Sequence, residues 1–199
     1  CNSYFPAGEQ ARVMDFPTPR TFEQQGVVSA ITDRKISLDT AKKYGVTTEF
    51  RMGSADAIKH YYPYYDKKGN QCGLKVRVLR DKRFTTSGDM RDNTLFGQQL
   101  FSNEGKYVTV VEGELDALAA YEMLGSRWPV VSVSKGAAGA KKDFQRNLEW
   151  LEGFENVIIA FDSDEPGRAA AEECAQVLSP NKAKIVHFEE FKDASDYLK

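Results

Sequence analysis

From Tyr107 onwards, short apolar runs alternate with longer helical patterns, and this alternation constrains the fold more than any other feature of the chain. Tyr107–Val111 is a β-branched run, and Glu114–Leu124 then carries Leu115, Leu118, Ala119 and Met123 on one helical stripe. Val130–Ser134 is a second strand. The turn Lys135-Gly136-Ala137-Ala138-Gly139 leads from it into a helix with Phe144, Leu148 and Leu151 at helical spacing. Asn156–Phe161 is a third, almost wholly apolar strand. A helix over 166–178 follows, with Ala170, Cys174, Val177 and Leu178 on one side and Pro166 in its first turn, where a missing N–H costs nothing. Lys184–Phe188 is a fourth strand, and a short helix over 192–198 closes the chain. Parallel strands need crossovers of this length, so the expected fold is α/β, a parallel sheet flanked by helices on both faces.

Ahead of residue 107 the pattern is less regular. Ser37, then Leu38, Ala41 and Tyr44, then Gly45 predict a capped helix with one apolar stripe. Tyr61-Tyr62-Pro63-Tyr64-Tyr65 and Leu74–Leu79 predict two strands joined through the turn Lys67-Lys68-Gly69-Asn70. Lys75 and Arg77 are two apart and share one face of the second strand. These elements make a smaller mixed α+β subdomain over 12–106, set before the α/β subdomain over 107–199. Residues 1–25, rich in Pro, Gly and Gln with Pro17-Thr18-Pro19 as a stiff piece, read as linker and packing arm.

Charge narrows the partners. A net charge of −2 leaves no global field for nucleic acid, so any such binding has to be local. From Asp66 to Arg91, eight Lys/Arg stand against Asp66, Asp81 and Asp89. A solvated hairpin surface accounts for that cluster as well as an anion-binding groove does. No apolar run approaches the roughly 18 residues of a membrane span, and the start of the chain has no signal-peptide pattern. A soluble, cytoplasmic protein without a membrane partner is expected. Cys1, Cys72 and Cys174 are scattered and form no CxxC pair, so they support neither a disulfide framework nor a complete zinc site.

In an open parallel sheet, ligands bind beyond the carboxyl ends of the strands. Glu112 ends the first strand here, with Glu114 and Asp116 just after it; Asp162 and Asp164 end the third, and Asp193 follows the fourth. Each has an ordinary reading: Asp164 or Glu165 as a helix cap, Glu114 and Asp116 as acids well placed in a first turn. All of them on one rim would repel one another, and a bound hard cation with carboxylate ligands resolves the repulsion.

At this point the residues resemble a family. Val110-Val111-Glu112-Gly113-Glu114-Leu115-Asp116-Ala117-Leu118, followed by Phe161-Asp162-Ser163-Asp164-Glu165-Pro166-Gly167-Arg168-Ala169-Ala170, is similar to the Toprim signature of primases, topoisomerases and some nucleases. Lys75-Val76-Arg77, Asp81–Gly88, Leu95-Phe96-Gly97, Val131–Lys142 and Lys192–Asp196 resemble the primase part of the bifunctional primase-helicases of podovirus-type phages and of mitochondrial Twinkle, over about residues 30–199. The resemblance implies a Toprim-type fold and DNA-templated synthesis of RNA primers. It implies Mg²⁺ or Mn²⁺ held by Glu112, Asp162, Asp164 and Asp193, with Glu114 and Asp116 in support. Glu112 would be a ligand or the base for the attacking 3′-hydroxyl, with Lys75 and Lys82 completing the catalytic set. Lys75, Arg77, Lys82, Arg83, Lys141 and Lys142 would contact ribonucleoside triphosphates or the single-stranded DNA template. Zinc is implied only in an upstream module, of which residues 1–11 are the linker remnant and Cys1 a stub, and a helicase domain or replicative helicase is the implied partner.

Positive charge beside the acidic rim suits polyanionic substrates, and Tyr61, Tyr62, Tyr64, Tyr65 and Phe84 are either stacking platforms for bases or hairpin core. On this reading Lys75 is a surface contact, and its loss weakens substrate binding while the fold survives. Two other classes stand beside the polymerase: a metal-dependent Toprim nuclease and a non-catalytic Toprim module serving a helicase. A topoisomerase needs a DNA-linking tyrosine on a further domain, and a DxD phosphatase needs its aspartates after the first strand of the sheet.

Overall fold

The computed structural model describes residues 25–188 and 190–198. The expectations for the linker remnant, for Cys1 and for Pro17-Thr18-Pro19 lie outside the described residues. Two four-stranded sheets form the scaffold. The first is an antiparallel meander of β1 (Thr47–Phe50), β2 (Ala57–Tyr65), β3 (Gln71–Val78) and β4 (Phe84–Gly88). The β2–β3 turn is where the sequence puts it, and Asp66 Oδ1 accepts from the Lys68 and Asn70 amides at 2.8 and 2.9 Å. Strands β1 and β4 were not expected. The first is only four residues long, and the second, Phe-Thr-Thr-Ser-Gly, is exposed throughout, so neither shows an apolar alternation.

Helix α1 (Leu38–Tyr44) has the expected ends: Ser37 Oγ accepts from the Thr40 amide at 3.2 Å, and Gly45 stops it at φ +70°. Its buried side is Thr40, Ala41 and Tyr44, whereas Leu38 lies exposed.

The second sheet is wholly parallel, in the order β6 (Val130–Ser132), β5 (Gly105–Val111), β7 (Phe154–Ala160), β8 (Ala183–Ile185). Its crossovers are α2 (Glu114–Met123), α3 (Ala137–Arg146) with α4 (Leu148–Glu152), and α5 (Glu165–Ala175); α6 (Ala194–Leu198) follows β8. The single helix expected through Phe144, Leu148 and Leu151 is broken at Asn147 into α3 and α4. Strand β8 stops at Ile185 rather than Phe188, and α6 starts only after Asp193, whose side chain accepts from the Asp196 amide at 2.7 Å.

The core falls into two clusters. One face of the parallel sheet packs Val108, Val110, Phe144, Leu151, Phe161 and Cys174 together. The cluster on the other side joins Val111, Leu115 and Leu118 to Tyr44, Tyr62, Tyr64 and Phe96 of the N-terminal region. Helix α2 is therefore covered all round: Ala117, Ala119 and Ala120 are as buried as Leu115 and Leu118. The amphipathic stripe read from the sequence understates this, because both faces of the helix are covered.

The register of the N-terminal sheet decides where its basic residues point. Lys75 lies opposite Tyr62 and Arg77 opposite His60, so all four occupy one face. Tyr62 and His60 are buried, and that face is turned inward against the second sheet. Lys75 and Arg77 do share a face, as expected, but it is not a solvated hairpin surface. The same register settles the tyrosines: Tyr61, Tyr62 and Tyr64 are buried packing residues, and only Phe84 of the expected stacking set is well exposed.

His60 is 2% exposed, with Nδ1 at 3.3 Å from Tyr62 Oη. Burial holds its pKa down at about 4, with Arg77 and Arg34 pushing it down further and Asp33 opposing. The unfolded chain therefore takes up this proton before the folded one. Stability is unaffected above the ordinary histidine pKa and falls as pH drops from about 6.5 towards 4, by about 2–3 kcal/mol in total. Urea melts between pH 7 and pH 4.5 should show this slope, and His60→Gln should remove most of it; an equal slope in the variant assigns the loss to other groups.

Candidate active site

After β5 the chain crosses through α2 to β6 on one side, and it returns through α3 and α4 to β7 on the other side of β5. Adjacent strands whose connections leave in opposite directions make a crevice at their carboxyl ends. Glu112 follows β5 and Asp162 follows β7, so both stand at that crevice. A cavity of about 590 Å³ lies elsewhere, beside Lys67, Lys68, Gln98 and Trp150, near the amino end of β7.

Glu112 is half-buried. Its Oε1 accepts from the Ala137 amide at 3.1 Å, while Oε2 is buried with no hydrogen-bond partner. The Ala137 amide is reached across Gly136 at φ +62°, where a Cβ would stand 3.3 Å from Glu112 Oε1. Burial, then the charge of Asp162, raises the Glu112 pKa. Burial also raises that of Asp162, with Lys192 opposing and Asp193 and Asp164 adding to the rise. Asp116 is pushed well above the carboxylate range by burial, then by Asp193 and Asp162, and its Oδ1 accepts from the Ser195 amide at 3.1 Å. Asp164 goes the other way: its Oδ1 accepts from the Gly167 amide at 3.0 Å, which caps α5 and lowers its pKa. Gly167 is required there, because a Cβ would stand 2.3 Å from the carbonyl oxygen of Asp162.

The carboxylates are arrayed along the rim rather than gathered. Among the described residues no three His, Cys, Asp or Glu side chains already converge as an ion's ligands. Lys192 bridges two of them, with Nζ 3.1 Å from Asp162 Oδ2 and 3.2 Å from Asp164 Oδ2. The donor set still suits a hard cation: it is all carboxylate oxygen, and the orphaned Glu112 Oε2 is the atom a cation would satisfy.

The N-terminal sheet meets the rim through Lys75. Its Nζ lies 2.7 Å from Glu114 Oε1 and donates to the Ser134 carbonyl at 3.0 Å; Tyr64 Oη donates to the same Glu114 oxygen at 2.5 Å. Glu114 is 3% exposed, and Lys75 and Tyr64 of the N-terminal sheet both donate to its Oε1. The exposed ring of Phe84 has Lys75 Nζ 4.7 Å from its centroid and the Arg77 guanidinium at 5.5 Å.

Residues 109–198, which carry every rim carboxylate, match a family described as Toprim-like. The chain is 38% identical over 164 residues to a DNA helicase/primase of Enterobacteria phage T3, covering 82% of this chain and 28% of that protein. Its structure matches the primase fragment of the bacteriophage T7 primase-helicase at a TM-score of 0.75 and 40% identity, over 85% of this chain and 69% of that one. The T7 primase domains seen with the lagging-strand DNA polymerase and an RNA/DNA hybrid match at 0.75 and 39%, over 85% and 84%. The chain belongs to the Toprim primases of the phage primase-helicase family. It spans about a quarter of the length of the T3 relative.

Within this primase fold the remaining residues expected at the site are scattered. Lys82 is exposed at φ +55° in the β3–β4 turn, and Arg83 beside it is held by Asp81 at 2.6 Å. On α3, Lys141 pairs with Glu173 at 3.5 Å and Lys142 is exposed. Several contributors escaped the sequence reading. Lys192 is one, although it directly precedes Asp193 in the quoted motif. Another is Asp143, 2% exposed, whose Oδ2 accepts from the amide and hydroxyl of Ser134 at 2.6 and 2.8 Å. Arg146 lies 3.6 Å from Asp143 and donates to Asn93 Oδ1 at 2.9 Å, which fixes the loop that presents the Ser134 carbonyl to Lys75. Arg34 is a third, donating to Ser195 Oγ at 2.9 Å and so tying α6 to the N-terminal region. A buried Asp–Arg pair inside an exposed-looking helix and a lone arginine before α1 carry no pattern in the sequence.

Proposed function

We propose that this chain is the RNA-primer-synthesising core of a DNA primase, joining ribonucleoside triphosphates on a single-stranded DNA template. The observation that carries the reading is Glu112 at the β5–β7 crevice, raised in pKa and with Oε2 unpartnered, facing Asp162 in a chain of the primase family. Glu112, Asp162, Asp164 and Asp193 hold Mg²⁺ or Mn²⁺ in this scheme. When bound, the cation offsets charge on the triphosphate and the leaving pyrophosphate. Glu112 is either a ligand of that cation or the base that accepts the 3′-hydroxyl proton. Asp116 orients α6 through the Ser195 amide, and Glu114 holds Lys75 at the crevice.

Arg77 and the exposed ring of Phe84 stand beside Lys75 on the N-terminal sheet and offer positive charge and a ring face to an incoming anion. Lys82, Arg83, Lys141 and Lys142 extend that track along the template or triphosphate. The two subdomains, 12–106 and 107–199, serve one site in this scheme. The T3 relative is named a DNA helicase/primase, which supports a helicase domain or replicative helicase as partner and the host cytoplasm as location. Among the described residues no helix is long and apolar enough to cross a membrane.

The test is incubation with mixed-sequence single-stranded DNA, all four ribonucleoside triphosphates including labelled ATP or CTP, and Mg²⁺ or Mn²⁺. Short, template-dependent RNA is the expected product. Cleavage of labelled DNA without triphosphates points instead to a nuclease, and no product with either cation to a non-catalytic module.

A further inference from the structure

Lys192 places one ammonium between the two carboxylates of the Asp162-Ser163-Asp164 motif, 3.1 Å from one and 3.2 Å from the other. We propose that Lys192 is the rim's built-in counter-ion, which a divalent cation has to displace from between Asp162 and Asp164. The inference rests on the reading that the rim takes such a cation.

Three observations support it. First, the ammonium touches Oδ2 of both aspartates, so it holds oxygens that a cation between them needs. Two positive charges within about 3 Å of the same oxygens repel strongly, so the two occupancies exclude one another. Second, a single positive charge under-compensates the site. The same crevice carries Glu112 after β5 and Asp162 and Asp164 after β7, so one ammonium stands against several carboxylates, and an ion of twice the charge is the better match. Third, the side chain is free to leave while its backbone is not. The Lys192 side chain is 55% exposed, but its carbonyl accepts from the Ser163 amide at 2.8 Å. The Ser163 hydroxyl donates to the Phe188 carbonyl at 2.9 Å and accepts from the Phe188 amide at 3.1 Å, while Asp193 caps α6. The loop is thus pinned on both sides of Lys192, and the ammonium can swing out without moving the carboxylates it bridges. Metal-free, the lysine keeps like charges in register; metal-bound, it is released at the edge of the site.

Lys192→Met keeps most of the stem and removes the charge. Mn²⁺ binding is measured by electron paramagnetic resonance for the wild type, Lys192→Met, Lys192→Arg and Lys184→Met. The last is a matched charge change at an exposed lysine on β8 that donates to the Asn181 carbonyl. Lys192→Met is expected to bind Mn²⁺ about three- to tenfold more tightly, the scale of one partly exposed ion pair at contact distance. Its metal-free melting temperature should fall, and saturating Mn²⁺ should restore it. Lys192→Arg should bind no more tightly than the wild type, and Lys184→Met should match the wild type. Binding that is unchanged or weaker in Lys192→Met overturns the counter-ion role alone. No Mn²⁺ binding by any of the four proteins overturns it together with the proposed site.

Discussion

Asp162→Ala is expected to lower primer synthesis by at least about a hundredfold, since the charge it supplies to the cation site is worth several kcal/mol in the transition state. Its metal-free fold should stand. The carboxylate is half-buried, its pKa raised by burial, and its loss relieves repulsion with Glu112 and Asp193 while costing one bond from a half-exposed lysine. These changes oppose one another, and the metal-free melting temperature should move by no more than about 2–4 °C, the shift of roughly 1 kcal/mol in a domain of this size. Stabilisation by saturating Mg²⁺, expected in the wild type if the proposed site binds the ion, should vanish in this variant.

Asp164 needs a different variant. It caps α5, so alanine there would add a cap loss of about 1 kcal/mol to any catalytic effect. Asparagine keeps the cap and removes the charge, and Asp164→Asn should lose synthesis at nearly wild-type stability. Full activity in Asp162→Ala would falsify the rim as the reaction centre, and a large metal-free fall would make the aspartate a structural residue.

The largest stability effect belongs to Lys75. The sequence suggests a surface lysine whose removal spares the fold; in the structure its ammonium and Glu114 are a buried pair joining the two sheets. Lys75→Ala leaves the Glu114 carboxylate buried with only Tyr64 as donor, which costs about 3–5 kcal/mol. Lys75→Met with Glu114→Leu replaces both charges by apolar groups and should recover most of that loss, although synthesis should stay low. Denaturant melts of both single variants and the double variant give the coupling directly. A Lys75→Ala melt within about 1 °C of wild type returns the lysine to the surface role and removes the pair as the link between the sheets, since even 1 kcal/mol moves a domain of this size by more.

The parallel sheet was legible because burial on both faces leaves continuous β-branched runs, and its crossovers are long enough to show helical period. The rim was legible for the same reason: once the strand ends are known, Glu112, Asp162 and Asp164 follow from their positions. The N-terminal sheet was half-legible. Tyr61–Tyr65 and Leu74–Leu79 announced β2 and β3, but an exposed β4 of Thr, Ser and Gly has no apolar period to read. What one strand cannot reveal is which of its faces is buried. That depends on the register Tyr62–Lys75 and on the element beneath, so the inward turn of Lys75 and Arg77 was hidden. Lys192 was hidden because its partners lie on a different strand end, some thirty residues earlier.

Helix α2 has no free face, and part of what covers it lies outside the stretch matched by the family. The stretch that matches the Toprim-like family is residues 109–198. Its first helix is sealed by Tyr44, Tyr62, Tyr64 and Phe96, all contributed from outside that stretch. Residues 109–198 alone would leave that flank of α2 bare, so residues ahead of them are part of its core. Tyr62 and Tyr64 of that cover lie on β2, in the sheet that carries Lys75 and Arg77, so a change that loosens the cover also disturbs how Lys75 meets Glu114.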